Sequence, residues 1–151
     1  MAQYFEMERD SIDMAWIWNV SGTVSPRAYS RRPDVMLVQH ALNTVMAPLE
    51  LTDSKGKRIT SYLVRDGYMG HHTNEAIMAY QKSLKARGFY VKADGVVDPA
   101  SRSGWTRDGN AQFTIVYLNR DHRRFNGGKM MDEKDFPQLL QAELQVNRAL
   151  R

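Results

Sequence analysis

Two segments of the chain match at an offset of 28 positions, and they constrain its fold more than anything else in the sequence. Asp66-Gly67-Tyr68-Met69-Gly70-His71-His72-Thr73 and Asp94-Gly95-Val96-Val97-Asp98-Pro99-Ala100-Ser101 follow one pattern. Each reads Asp-Gly, two apolar or aromatic residues, a capping residue, two more residues, then Thr or Ser. Asp-Gly favours a tight turn, because Gly accepts positive φ and Asp bonds the amides just beyond it. The hydroxyl residue then falls in the first turn of a helix, where backbone amides lack partners. A chain carrying this unit twice is expected to build two equivalent turn-helix junctions.

Helical patterns surround the turns. Pro33 suits a first helical turn, Val38, Ala41, Leu42 and Val45 recur at helical spacing, and Pro48 ends the run. A second helix is expected from about His71 to Arg87, with Ala76, Ile77, Tyr80 and Leu84 on one face and Gly88 at its C-terminus. Asp98 and Pro99 predict a short third helix through about Trp105. Asp135 and Pro137 open a last one through Leu150, with Leu139, Leu140, Leu144, Val146 and Leu150 on a broad apolar arc.

Other segments read as strands. Residues 12 to 20 alternate, with Trp16 and Trp18 on one parity, and residues 111 to 118 alternate again. Leu49–Thr52 and Ile59–Val64 flank Asp53-Ser54-Lys55-Gly56 and predict an inserted hairpin. Residues 21 to 33 read as an extended connector, 89 to 91 as a short extended piece, and 119 to 134 as a polar, mobile loop.

The order of these motifs resembles the peptidoglycan-binding domain-like family, a three-helix module found beside cell-wall hydrolases. The family pattern is a helix carrying Leu-Gln and Leu, then Asp-Gly-x-aromatic-Gly-x-x-Thr-x-x-Ala-Val-x-x-Phe-Gln, then Asp-Gly-x-x-Gly and a last short helix. This chain supplies Val38-Gln39 and Leu42, the run from Asp66 through Thr73, Ala76-Ile77 and Tyr80-Gln81, then Asp94-Gly95 and Trp105. Asp98 stands where the family has its second glycine, and the stretch from Leu42 to Asp66 is longer than in the family. The resemblance covers about residues 34 to 105. It implies a three-helix fold there; with the strands and the last helix read from the residues themselves, the whole chain, 1–151, is expected to form a single α+β domain. Its three-helix core with an inserted hairpin would span 34–105. The arms, 1–33 and 106–151, would carry flanking strands and a C-terminal helix.

Composition narrows the chemistry. The chain has 151 residues and no Cys, so a thiol nucleophile, a Cys-ligated zinc site and a disulfide frame are excluded. Histidines His71 and His72 are adjacent, so on a helix they diverge by about 100° and do not share one metal readily. Glu50 and Glu75 lack an obvious partner acid for glycoside hydrolysis, and no Gly-x-Ser-x-Gly elbow occurs. The expectation is a non-catalytic protein with no metal or other cofactor. The net charge of +4 is mild, and acidic residues dilute the Arg120–Arg124 cluster, so nucleic acid is not the expected partner. The N-terminus lacks a secretory signal pattern and no apolar stretch is long enough for a membrane span. A chain cytoplasmic as made, or brought to the wall by another route, is expected.

Peptidoglycan glycan or stem peptide is the ligand that the resemblance implies. Asp66, Tyr68, Gln81, Arg87 and Tyr90 lie near the repeated turns and are the candidate contacts, since such ligands rest on aromatic faces with a few hydrogen-bonding groups. Each has a structural alternative: Tyr68 as a core plug, Gln81 as a bond to loop backbone, Arg87 as a solvated charge. The alternative function is a structural or adaptor subunit of a multi-protein assembly, such as a phage particle or a secretion machine. It would dock through the Trp16 and Trp18 strand or the C-terminal helix.

Overall fold

The computed structural model describes residues 3–6, 16–101 and 112–149, with side chains for 16–101 and 112–144. The described residues are mostly helical. In order they form strands β1 (Gln3–Glu6) and β2 (Trp16–Asn19), then helices α1 (Arg32–Val45), α2 (His71–Ala86), α3 (Thr114–Phe125) and α4 (Gln138–Ala149), with one 3-10 turn at Glu133–Asp135 before α4.

Helix α1 is central. Pro33 lies in its first turn, and the Asp34 carboxylate accepts the Ser21 and Gly22 amides. Val35, Met36, Leu37, Val38, Ala41, Leu42 and Val45 are all buried, so the helix is apolar nearly all round and packs against α2, α3 and α4. Helix α2 buries Ala76, Ile77, Tyr80 and Leu84, the face its spacing predicts. Its C-terminus is a Schellman motif: the Phe89 amide donates to Leu84 O, the Gly88 amide donates to Lys85 O, and Gly88 sits at φ 90°. Helix α4 buries Leu140 and Leu144.

Two strand expectations are corrected. Residues 114–118 are helical and open α3, which runs on to Phe125 through half of the expected loop. Both parities of 113–118 are apolar, so alternation carries no signal there, while Ile115, Leu118, Asn119 and His122 share one helical face and are buried. Position 111 lies outside the described residues. The inserted hairpin reduces to a single antiparallel bridge between Thr52 and Arg58 around a turn centred on Asp53. The turn is strong: Asp53 Oδ1 accepts the amides of Lys55 and Lys57, and Gly56 lies at φ 79°. Residues 59–64 then run without strand pairing. Strand β2 matches the expected strand from Trp16 onward, residues 12–15 lying outside the described ones, and it pairs with β1, antiparallel, with Tyr4 opposite Trp18. Residues 98–101 are not helical, and Trp105 lies outside the described residues.

Buried carboxamides explain how so much irregular chain packs on the helices. A side-chain amide offers one acceptor and donors, as a neighbouring strand would. Asn119 accepts the Trp18 amide and donates to Trp18 O. Asn19 does the same for Ala100, and Asn43 for Leu63. Backbone groups that would otherwise be buried without partners are satisfied one by one. The connector 21–33 is a strap: Val24 and Val97 exchange both backbone bonds at 2.9 Å, and Thr23 donates to Asp98.

Candidate functional site

The two halves of the repeat are held by the same device. In the first, Gln39 of α1 accepts the Gly67 amide on Oε1 at 3.0 Å. Its Nε2 donates to Tyr68 O, to Asp66 Oδ1 and to the Thr73 hydroxyl of α2. In the second, Gln81 of α2 accepts the Gly95 amide at 2.8 Å and donates to Val96 O and to the Thr114 hydroxyl of α3. In each turn the Asp carboxylate also accepts the amide two residues on. Even the outer carbonyls match: Arg32 donates to Asp66 O, and Arg27 donates to Asp94 O. The hydroxyl that completes the second unit is Thr114 of α3 and not Ser101, which does not lie on a helix.

Glycine is required at the first turn. Gly67 sits at φ 80°, and a Cβ there would lie 2.7 Å from Arg32 O. Gly56 has a similar φ of 79° and open space around it. Replacing Gly56 with Ala is expected to cost about 1 kcal/mol from conformation alone, whereas Gly67→Ala adds a backbone clash and should cost about 2–4 kcal/mol. Urea denaturation of the two variants side by side checks this, and equal costs would show that the clamp yields.

The candidate ligand residues fall into two groups. Asp66 and Tyr68 stand at the first turn, and Tyr68 is exposed (59%) rather than a core plug, with the Arg32 guanidinium 4.4 Å from its ring centroid. Arg32 also lines a surface groove of about 370 Å³ with Tyr29, Arg31, Pro33, Leu139 and Glu143. The first turn, an aromatic face and two arginines therefore meet at the N-terminus of α1. Tyr90 is exposed too (75%), beyond the C-terminus of α2.

The other two are committed elsewhere. Gln81 is fully buried in its clamp. Arg87 is not solvated as the sequence suggested: it forms a bidentate pair with Asp121 of α3 at 3.1 and 2.8 Å. The same carboxylate accepts the Tyr80 hydroxyl at 2.7 Å. Burial, then the charge of Asp121, raises the Tyr80 hydroxyl well above its ordinary value, so it stays a donor. No pattern in the sequence pointed to Asp121, because its helix read as a loop. Gln39 was visible only through the family motif.

Other polar groups have structural partners. Glu75 accepts the Ser54 amide and hydroxyl, which fastens the Asp53 turn to α2 and lowers the Glu75 carboxyl. Glu50 pairs with Arg58. His71 and His72 lie edge to face, and among the described residues no cluster of three His, Cys, Asp or Glu is placed to hold a metal. No helix among the described residues is long and apolar enough to cross a membrane. No family model, no curated protein and no solved structure matches the chain.

Proposed function

We propose that the chain is a non-catalytic module that binds peptidoglycan, with glycan or stem peptide resting in the groove beside Asp66 and Tyr68. One observation carries the reading. The two Gln positions of the family motif, Gln39 and Gln81, are the two residues that clamp the two Asp-Gly turns, in the same way each time. That shared clamp supports reading the motif as a structural unit in this chain. On this reading the three-helix core is α1, α2 and α3, and it extends past residue 105 because α3 supplies the second hydroxyl. The exposed Tyr68 ring supplies an apolar face for a sugar or peptide, and Arg31 and Arg32 supply donors for its carboxylates. Sedimentation with purified sacculi tests the proposal: the protein should pellet with the wall material.

Part of the surface that motivates the adaptor reading is buried, although Trp16 is half-buried and Leu139 is exposed. Trp18 donates to Met131 O and packs edge-on against Phe136, and Leu140 and Leu144 are buried. These apolar side chains are spent inside the chain's own core.

A further inference from the structure

A second concave site lies on another part of the surface and shares no lining residue with the groove at Arg32. It is an open cleft of about 680 Å³ lined by residues of α1 and the following loop, His40, Asn43, Thr44, Ala47 and Pro48, and by Tyr62, Leu63 and Arg65. No acidic residue lines it, and Arg65 is the fixed charge within it.

Arg65 is held in place by neutral acceptors. Its Nη1 donates to His40 Nδ1 at 2.9 Å and to Asp135 O at 2.8 Å, a backbone carbonyl and not the carboxylate. Both Nη1 hydrogens are thereby used and the guanidinium plane is set. Among the described residues no hydrogen bond or ion pair engages Nε or Nη2, which form the side-on edge that meets a carboxylate with two parallel bonds. The walls suit a small organic body: Tyr62 is 77% exposed, and Ala47, Pro48 and Leu63 are apolar. Near the end of α1 the carbonyls of Leu42, Val45, Met46 and Ala47 accept backbone amides.

We propose that this cleft binds a carboxylate-bearing small ligand of the peptide C-terminus type, with the Nε/Nη2 edge of Arg65 on the carboxylate and Tyr62 against the adjoining apolar group. The Nη1 bonds pre-orient the cation, so little side-chain freedom is lost on binding. This site stands independently of wall binding at Tyr68.

The test titrates N-acetyl-alanyl-alanine, as free acid and as C-terminal amide, into the whole chain at pH 7 and fixed ionic strength, followed by backbone amide NMR. The free acid should shift the amides of residues 62–65 saturably, and the amide should bind roughly tenfold more weakly. Arg65→Gln should abolish that difference, and Tyr62→Ala, at an exposed position, should weaken both ligands without lowering Tm. Equal binding of acid and amide at this cleft overturns the proposal, as does the absence of any saturable shift there. The acid-against-amide comparison on the unaltered protein decides the matter even where Arg65→Gln loosens the fold.

Discussion

Lowering the pH from 7 to 4 is expected to cost this protein roughly 4–5 kcal/mol of stability through His40 and His122 alone. The two rings stack with centroids 5.8 Å apart, and Phe136 meets His40 edge-on. Both are held down to about 4 from an ordinary 6.5. Burial is the main cause for each. The neighbouring His122 and then Arg65 lower His40 further, while Asp135 acts upward on His122. The Nδ1 of His40 accepts from Arg65, so the folded ring is neutral and protonation would set two donors face to face.

The sign follows from linkage. Between pH 6.5 and 4 the unfolded chain takes up protons that the folded chain refuses. Stability is therefore full above 6.5, falls as the pH drops below it, and the loss is complete near 4. Each ring at full effect is worth about 3 kcal/mol, and the partial exposure of His40 reduces the sum. Urea midpoints at pH 7, 6, 5 and 4 measure this, with Trp18 as the fluorophore because it packs on Phe136. A midpoint unchanged between pH 7 and 4.5 would show that the pair does not titrate as its surroundings require.

The second large effect is at Asp121. Removing this carboxylate by Asp121→Ala leaves the Arg87 charge and the buried Tyr80 hydroxyl without their partner, at an expected cost of about 3–5 kcal/mol. Tyr80→Phe removes one hydrogen bond and keeps the ion pair, so about 1–1.5 kcal/mol is expected. The two losses should not add, because both substitutions break one shared bond. A chemical-denaturation cycle with the double variant reads the coupling. A cost below about 1 kcal/mol for Asp121→Ala would mean that the triad does not tie α2 to α3.

The same residues show what could be read from the chain and what could not. Helices α1, α2 and α4 were legible because their apolar residues recur at helical spacing between Pro and Gly signals that act locally. The two turns were legible because Asp-Gly is local chemistry. Helix α3 was not. Its first turns are apolar on every side, and its last ones carry Arg120, Arg123 and Arg124, so the segment resembles a strand followed by a loop. Packing against α1 and β2 buries its Ile115 and Leu118. The carboxamide clamps were equally hidden, since Asn119 and Trp18 meet across 101 positions and nothing in either residue names the other. At the candidate site, Asp66 and Tyr68 stand at the local Asp-Gly turn, whereas the pairing of Arg87 with Asp121 spans 34 positions and depends on a helix that its own segment does not announce.

On the proposed function, the clamped first turn presents Tyr68 and Arg32 to a wall ligand. The direct measurement is co-sedimentation with purified sacculi, run on the unaltered protein and on Tyr68→Ala at low and physiological salt. The unaltered protein should pellet under both conditions, and Tyr68→Ala, which touches an exposed ring, should remain folded and stay largely in solution. A protein left wholly in the supernatant at both salts, or a Tyr68→Ala variant that pellets undiminished, would contradict it.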